Sequence, residues 1–266
     1  MCLTKCPDST AGGPACAHAS TTRMMLVFVG PLTEIGSVEL SAVTKARSMD
    51  ANMGLDRKLQ ERLEQALAVV DEHGTTGPRL VDDAVRLWRR AQRFIALNLV
   101  AEGVDVDALE LACYAVQLPM RRGRVLPKGR APRATLRERA EEAAELLLNV
   151  APDGDEQLLD RATRVLHEMP HRSPMLDEAR LLADAVSLDD FGLIGLIGLT
   201  VQLVKQGDGV LQVADGMQKR DQYGYWEARL KDGFHFEPVR QIARRRLAAA
   251  RQAATLLLAE LREDTV

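Results

Sequence analysis

Side chains that could hold a metal ion are concentrated in one stretch of the chain, PMLDEARLLADAVSLDDFGLIGLIG from Pro174 to Gly198. Asp184, Asp189 and Asp190 stand there just before a glycine-spaced apolar run. Carboxylates that converge can hold a divalent cation, and a bound cation can activate water for catalysis. The stretch is therefore either one wall of a metal site or a turn that only has the outline of one.

The spacing of the acids and histidines argues against a preformed metal site. Asp184 and Asp189 lie five residues apart, so they do not share a helix face at the i, i+4 spacing. His167 and His171 have that spacing, but Pro170 between them breaks the helix that would align the pair. A rewired metal site stays open as an alternative. Its ligands would be Asp83, His167, His171 and Asp184.

Basic residues are concentrated in a second stretch, PMRRGRVLPKGRAPR from Pro119 to Arg133. It contains six basic residues, no acid, three prolines and two glycines, so it is not a helix. Guanidinium groups bind phosphates without a metal, so this stretch is either an anion-binding loop or a solvated connection. The candidate anion contacts are Arg86, Gln117, Arg121, Arg122, Arg124, Lys128 and Arg130.

Charge and aromatic content give little support to a nucleic-acid or membrane partner. The formal net charge is −3, with both signs interspersed, so no global field attracts a polyanion. An aromatic cluster in KRDQYGYWEARLKDGFHF could stack on bases, although a hydrophobic hinge between helices is the simpler interpretation. The cluster comprises Tyr223, Tyr225, Trp226, Phe234 and Phe236. We expect neither a nucleic-acid partner nor a membrane.

The composition predicts an all-α protein of the reducing cytoplasm. Aromatic residues make up only 4% of the chain and hydrophobic residues 46%, with abundant helix formers. The cysteines lack the paired CxxC spacing of a structural zinc site, and Cys113 lies in an apolar run typical of a buried thiol. The apolar run from Met24 to Gly30 is too short to span a bilayer.

Apolar periodicity divides the chain into two parts. Residues 1–48 are rich in Ser, Thr, Gly, Ala and Pro, which predicts a disordered extension. Translation could then start at Met1, Met49 or Met53. Residues 49–266 have the pattern of a single compact domain of seven or more helices. The first two helices have predicted apolar faces at Leu55, Leu59, Leu63, Ala66, Leu67 and Val70, and at Val81, Val85, Trp88, Ile95 and Leu99, with stops at Gly74 and Gly103.

The order of the helices and two local patterns resemble the HD superfamily of metal-dependent phosphohydrolases, over roughly residues 75–262. In that family a histidine opens one helix as HxxRV, a His-Asp pair stands late in the next, and an aspartate lies in a DADRLDxLGxxG segment. The chain keeps Arg86 and Leu87 of the first pattern in DAVRL. It keeps Asp184, Leu188, Asp189, Gly192 and Gly195 of the last in DAVSLDDFGLIG.

The resemblance implies an HD-like bundle around a divalent metal, yet none of the four ligand positions keeps its family residue. Asp83 stands at the histidine position, where helix N-capping explains it more simply than a metal does. Val116 and Gln117 replace the His-Asp pair, and Val186 replaces the aspartate. Valine has no lone pair and glutamine is a neutral ligand, so little offsets the dehydration of a cation. We expect the pocket to have become core.

The sequence therefore predicts a degenerate, non-catalytic HD-like protein without a metal. Its role would be binding, regulation or scaffolding, with a small anion, a nucleotide or a protein as the ligand. The alternative is an active phosphohydrolase of a nucleotide or phosphomonoester that uses the rewired site and a divalent metal such as Mn, Fe, Co, Ni or Zn.

Overall fold

The computed structural model describes residues 55–68, 80–100, 103–119, 135–205 and 207–262. Within these ranges the chain forms ten α-helices, one 3-10 helix and no strand, which confirms the predicted all-α class. The helices are α1 Arg57–Leu67, α2 Leu80–Ala96, α3 Val106–Ala115, α4 Leu136–Val150, α5 Glu156–Glu168, α6 Asp177–Ser187, the 3-10 turn Leu188–Asp190, α7 Gly192–Lys205, α8 Val210–Gln222, α9 Tyr225–Asp232 and α10 Glu237–Leu261.

Several predicted features lie outside the described residues. They are the extension 1–48, the alternative starts Met49 and Met53, the positions Val70 and Gly74, and the basic loop with Arg121, Arg122, Arg124, Lys128 and Arg130.

Polar side chains begin three of the helices, as their types predict. The Asp105 carboxylate accepts a hydrogen bond from the Ala108 backbone N–H at 2.9 Å and starts α3. Thr135 and Glu138 form a reciprocal capping box at the start of α4. Asp155 accepts from two backbone N–H groups at the start of α5. Each cap satisfies donors that a helix leaves unpaired at its first turn and contributes about 0.5–2 kcal/mol.

The first six helices pack around α3. This helix contacts α2, α4, α5 and α6, and nearly every one of its side chains is buried, as its mostly apolar sequence predicts. Leu59, Leu63 and Leu67 of α1 are buried too, which confirms the predicted face of the first helix. The described helices include none long and apolar enough to cross a membrane.

The last four helices pack around α10, which contacts α7, α8 and α9. The 3-10 turn joins the two groups because it follows α6 directly and contacts both α6 and α7. Beside this turn, the ring of Phe191 lies 5.3 Å from the rings of both Trp226 and Phe234. Of the predicted aromatic cluster, Trp226, Phe234 and Phe236 are buried, whereas Tyr223 is largely exposed.

Helix α2 differs from its predicted form at its end and on its buried face. It ends at Ala96, and Asn98 rather than Gly103 provides the left-handed residue, with φ 52°, that stops it. Asparagine tolerates this conformation, and the Leu99 N–H bonds back to the Phe94 carbonyl. Of the predicted face only Trp88 is buried; the buried face is Ala84, Leu87, Trp88, Arg90, Ala91 and Phe94.

Candidate functional site

The last part of α6 and the 3-10 turn that follows it direct three aspartates to three different elements. Asp184 contacts the residues that precede α10, Asp189 contacts α2, and Asp190 accepts a hydrogen bond from Arg229 of α9 at 2.8 Å. The acids therefore diverge, as the five-residue spacing of Asp184 and Asp189 predicts. Each serves as an anchor between helices.

Asp184 is fully buried and holds the start of α10 in place. Its carboxylate accepts hydrogen bonds from the backbone N–H groups of His235 and Phe236 at 2.8 and 3.1 Å. It also lies 2.8 Å from His235 Nδ1. A buried charge is tolerated only when hydrogen bonds surround it, and these three satisfy that condition. Asp184 thus acts as a helix cap supplied from another helix.

No local pattern points to the role of His235, because its partner lies 51 residues away. The segment GFHFEP predicts the start of a helix, whose first backbone N–H groups need an acceptor, but it does not indicate which residue supplies that acceptor. The acceptor, Asp184, is brought there by the tertiary contact between α6 and the two residues that precede α10.

Asp189 binds two arginines of α2 at once. Arg90 Nη2 lies 2.8 Å from Asp189 Oδ1, and Arg86 donates to the same oxygen. Arg90 also donates to the Ala185 carbonyl at the end of α6, and its side chain is only 7% exposed. The buried guanidinium therefore bridges α2, the end of α6 and the 3-10 turn.

Arg86 lies at the more open edge of this group. Its second guanidinium nitrogen donates to Asp83 at 2.8 Å, and 31% of its side chain is exposed. Burial lowers the pKa of Arg86, but hydrogen bonds to Asp189 and Asp83 outweigh burial and leave the pKa above its usual value. Arg86 is thus well compensated by acids.

A third arginine, Arg246 of α10, interacts with the charge of the same carboxylate but makes no ion pair with it, and it is less well compensated. Its Nη1 lies 3.5 Å from the Leu188 carbonyl oxygen, at the limit of a hydrogen bond. Burial lowers the pKa of Arg246, the charge of Arg90 lowers it further, and Asp189 opposes both. Arg86 and Arg93 add to the lowering.

The local backbone makes room for Arg246. Gly192, which opens α7, has φ +79°, and a Cβ at this position would lie 3.1 Å from Arg246 Cβ. Only glycine combines this left-handed conformation with so close a neighbour. We call Arg86, Arg90 and Arg246, together with Asp189, the arginine cluster.

The arginine cluster has the chemistry of an anion site. Two guanidinium groups contact one shared carboxylate and a third interacts with it through its charge, with Asp83 at the edge, so positive charge is in excess. Planar guanidinium groups bind the oxygens of phosphate or carboxylate in pairs, and partial burial strengthens the attraction. The sequence singled out Arg86 but missed Arg90 and Arg246, because each lies in a helical pattern where an arginine usually faces solvent.

The four positions matched to the metal ligands do not form a polar pocket. Val116 and Val186 are both buried and belong to the hydrophobic core. Asp83 is 48% exposed and bonded to Arg86, and Gln117 is partly buried at the end of α3. The polar members therefore lie nearer to solvent than the two valines.

The residues of the predicted rewired site do not form a common set of metal ligands. His167 and His171 are exposed, and α5 ends at Glu168 before Pro170, so the two histidines are not aligned on one helix. The Asp184 carboxylate is occupied by His235 and Phe236. Within the described parts of the chain, no three His, Cys, Asp or Glu side chains are grouped as a metal site requires.

No family model, curated protein or solved structure matches this chain.

Proposed function

We propose that this chain is a non-catalytic anion-binding protein on an HD-like bundle, and that the arginine cluster binds phosphate or a phosphate ester. The observation that carries the proposal is the placement of Arg246. Within the described residues its guanidinium makes one hydrogen bond, at 3.5 Å to the Leu188 carbonyl, while burial and the charges of Arg90 and Arg86 lower its pKa and Asp189 opposes them. A bound anion would supply the missing negative charge and restore the stability of the charged guanidinium.

The geometry of the cluster favours an anion over a structural role alone. Arg90 and Arg86 both bind Asp189 Oδ1, whereas the hydrogen bond that Arg246 makes within the described residues goes to the Leu188 carbonyl instead. Arg246 has hydrogen-bond donors beyond the one that points to Leu188, because a guanidinium carries five N–H groups. Those donors are the ones we assign to a phosphate.

The HD resemblance supports the same proposal from the sequence side. The positions that hold the metal in that family carry valine, valine and glutamine here, together with an aspartate that bonds to Arg86. Valine has no lone pair and glutamine offers only a neutral oxygen, so these side chains do not replace imidazole and carboxylate around a divalent cation. An arginine cluster, in contrast, binds a phosphate without a metal.

The test is calorimetric titration of the full chain with inorganic phosphate, pyrophosphate and AMP, in chloride buffer of constant ionic strength. We expect binding of at least one of them, weakened about 10-fold or more by Arg246→Gln, because a hydrogen bond to a charged group contributes about 1.5–3 kcal/mol. Arg245→Gln is the matched control, since Arg245 is the exposed neighbour on the same helix. Equal affinity in the two variants would overturn the assignment to the cluster.

Metal analysis separates binding from catalysis. Near-stoichiometric Mn, Fe, Co, Ni or Zn in the purified protein, with metal-dependent hydrolysis of a phosphomonoester, would replace this proposal by the phosphohydrolase alternative. Phosphate binding that persists after chelation of metals, without hydrolysis, supports the proposal.

A further inference from the structure

Helix α7 is predominantly apolar, with Thr200 and Gln202 as its only uncharged polar side chains. Its sequence, GLIGLIGLTVQLVK, contains a single ionisable residue, Lys205, at its end. One side of the helix faces the core, where Leu199 is buried and Leu196 and Leu203 are partly buried. A helix that is apolar all round is normally buried all round.

The other side of α7 is exposed. Five aliphatic side chains on this side have exposed fractions between 40% and 63%. Single exposed aliphatic side chains are common, but a continuous row of them on one helix face is not. Two further ones, 47% and 48% exposed, follow at the start of α8. We call these residues the α7 stripe: Leu193, Ile194, Ile197, Val201, Val204, Val210 and Leu211.

We propose that the α7 stripe is the interface of a homodimer and that its occupant is the α7 stripe of a second copy of this chain. Seven aliphatic side chains that are about half exposed present about 600 Å² of apolar surface, the upper end of what monomers tolerate. Two copies together would bury about 1,200 Å², the lower end of the standard range for specific interfaces.

The absence of charge in the stripe identifies the kind of partner. A stripe without ionisable side chains needs an uncharged apolar surface opposite, because a charged partner group would be desolvated without compensation. The stripe itself is such a surface, and a two-fold axis places the same patch on both subunits. A helix that binds a membrane surface usually carries a basic polar face, whereas α7 has only Lys205.

The experiment is sedimentation equilibrium of the full chain over a wide range of protein concentration. We expect a monomer–dimer equilibrium whose dissociation constant rises about 30-fold or more in Ile197→Asp, as for a central interface residue. Ile197 is 63% exposed, so the monomer does not need its side chain to fold, and circular dichroism checks this. Leu148→Asp is the control: Leu148 is 51% exposed on α4, away from the stripe.

Three outcomes overturn the proposal. The first is a natural sequence that stays monomeric at every concentration, and the second is a dimer that Ile197→Asp and Val201→Asp leave unchanged. The third is a monomer that binds phosphatidylcholine vesicles through Ile197, which would make the occupant a lipid surface. A dimer weakened by Ile197→Asp and Val201→Asp, but not by Leu148→Asp, supports the proposal whether or not phosphate binds.

Discussion

The carboxylate of Asp189 lies 2.8 Å from Arg90 Nη2, and this contact joins the 3-10 turn to the middle of helix α2. Arg90 also donates to the Ala185 carbonyl, so the guanidinium spans the end of α6 and the turn that follows it. The stretch that has the outline of a metal site is thus paired with a guanidinium cation from α2 rather than with a coordinated metal ion. Removal of the Asp189 carboxylate tests how much this charge balance contributes to stability.

We expect Asp189→Asn to lower the free energy of unfolding by about 3–5 kcal/mol, because it leaves Arg90 buried without its countercharge. Added inorganic phosphate should recover part of the loss if it binds the cluster. Urea denaturation with and without phosphate measures both effects. The control, Asp83→Asn, removes a carboxylate that is 48% exposed and should cost about 1 kcal/mol or less. Equal losses in the two variants would contradict the assignment.

Asp184→Ala should destabilise the chain by about 3 kcal/mol, because the backbone N–H groups of His235 and Phe236 lose a buried acceptor. His235→Ala removes only the ring contact and should cost about 1 kcal/mol. Denaturation gives the totals, and hydrogen exchange at the start of α10 shows whether the loss is local. If the His235 variant loses as much as the Asp184 variant, the ring rather than the backbone cap carries the stability.

The glycines Gly195 and Gly198 of α7 should respond in opposite ways to alanine. A Cβ at Gly195 would lie 2.2 Å from the Asp190 carbonyl oxygen, so the turn must shift, and we expect a loss of about 1–3 kcal/mol. A Cβ at Gly198 meets nothing within 4 Å. Because alanine has the higher helix propensity, Gly198→Ala should gain about 0.5–1 kcal/mol. Thermal unfolding of both variants checks the sign, and two changes of the same sign would contradict it.

Glu110 of α3 should make the protein less stable at alkaline pH. Burial, with a further contribution from the charge of Asp107, raises the pKa of Glu110 to about 7 from its usual 4.5, against the hydrogen bond from the Leu55 backbone. The folded state therefore holds a proton that the unfolded state releases, and stability falls as pH rises from about 4.5 to about 7.

Glu110→Gln should remove this fall. Because Glu110 is only partly buried, solvent screening reduces the effect, and we expect a gain on the order of 1 kcal/mol at pH 8 and little change near pH 5. Urea denaturation at the two pH values measures the difference. A variant whose stability follows the same pH dependence as the natural sequence would assign the effect to other groups.

The sequence predicted those parts of the fold that depend on neighbouring residues. The leucines at positions 59, 63 and 67 repeat at helical spacing and are buried, and Asp105 and Thr135 cap helices from positions next to them. Such interactions act within one or two turns, so periodicity and residue type are enough to find them.

Long-range pairings could not be predicted in this way. Arg90 and Asp189 lie 99 positions apart, by subtraction of their numbers, and nothing local distinguishes Arg90 from the exposed Arg89. The buried face of α2 differs from the predicted one because it combines Ala84 and Ala91, small side chains that a hydrophobic pattern hardly registers, with Leu87 and Phe94. The glycine spacing of GLIGLIG does not reveal which glycine is closely packed: Gly195 lies against the Asp190 carbonyl, whereas Gly198 has open space around it.

Cys113 provides a natural reporter of how often the bundle opens. Its thiol is fully buried on α3, and burial together with the charge of Glu110 raises its pKa far above the usual value, although Arg90 opposes this. An alkylating reagent attacks the thiolate, so modification has to wait until α3 separates from its neighbours and the proton can leave. With Cys2, Cys6 and Cys16 replaced by serine, the rate of modification at Cys113 measures how often the helices around α3 transiently separate.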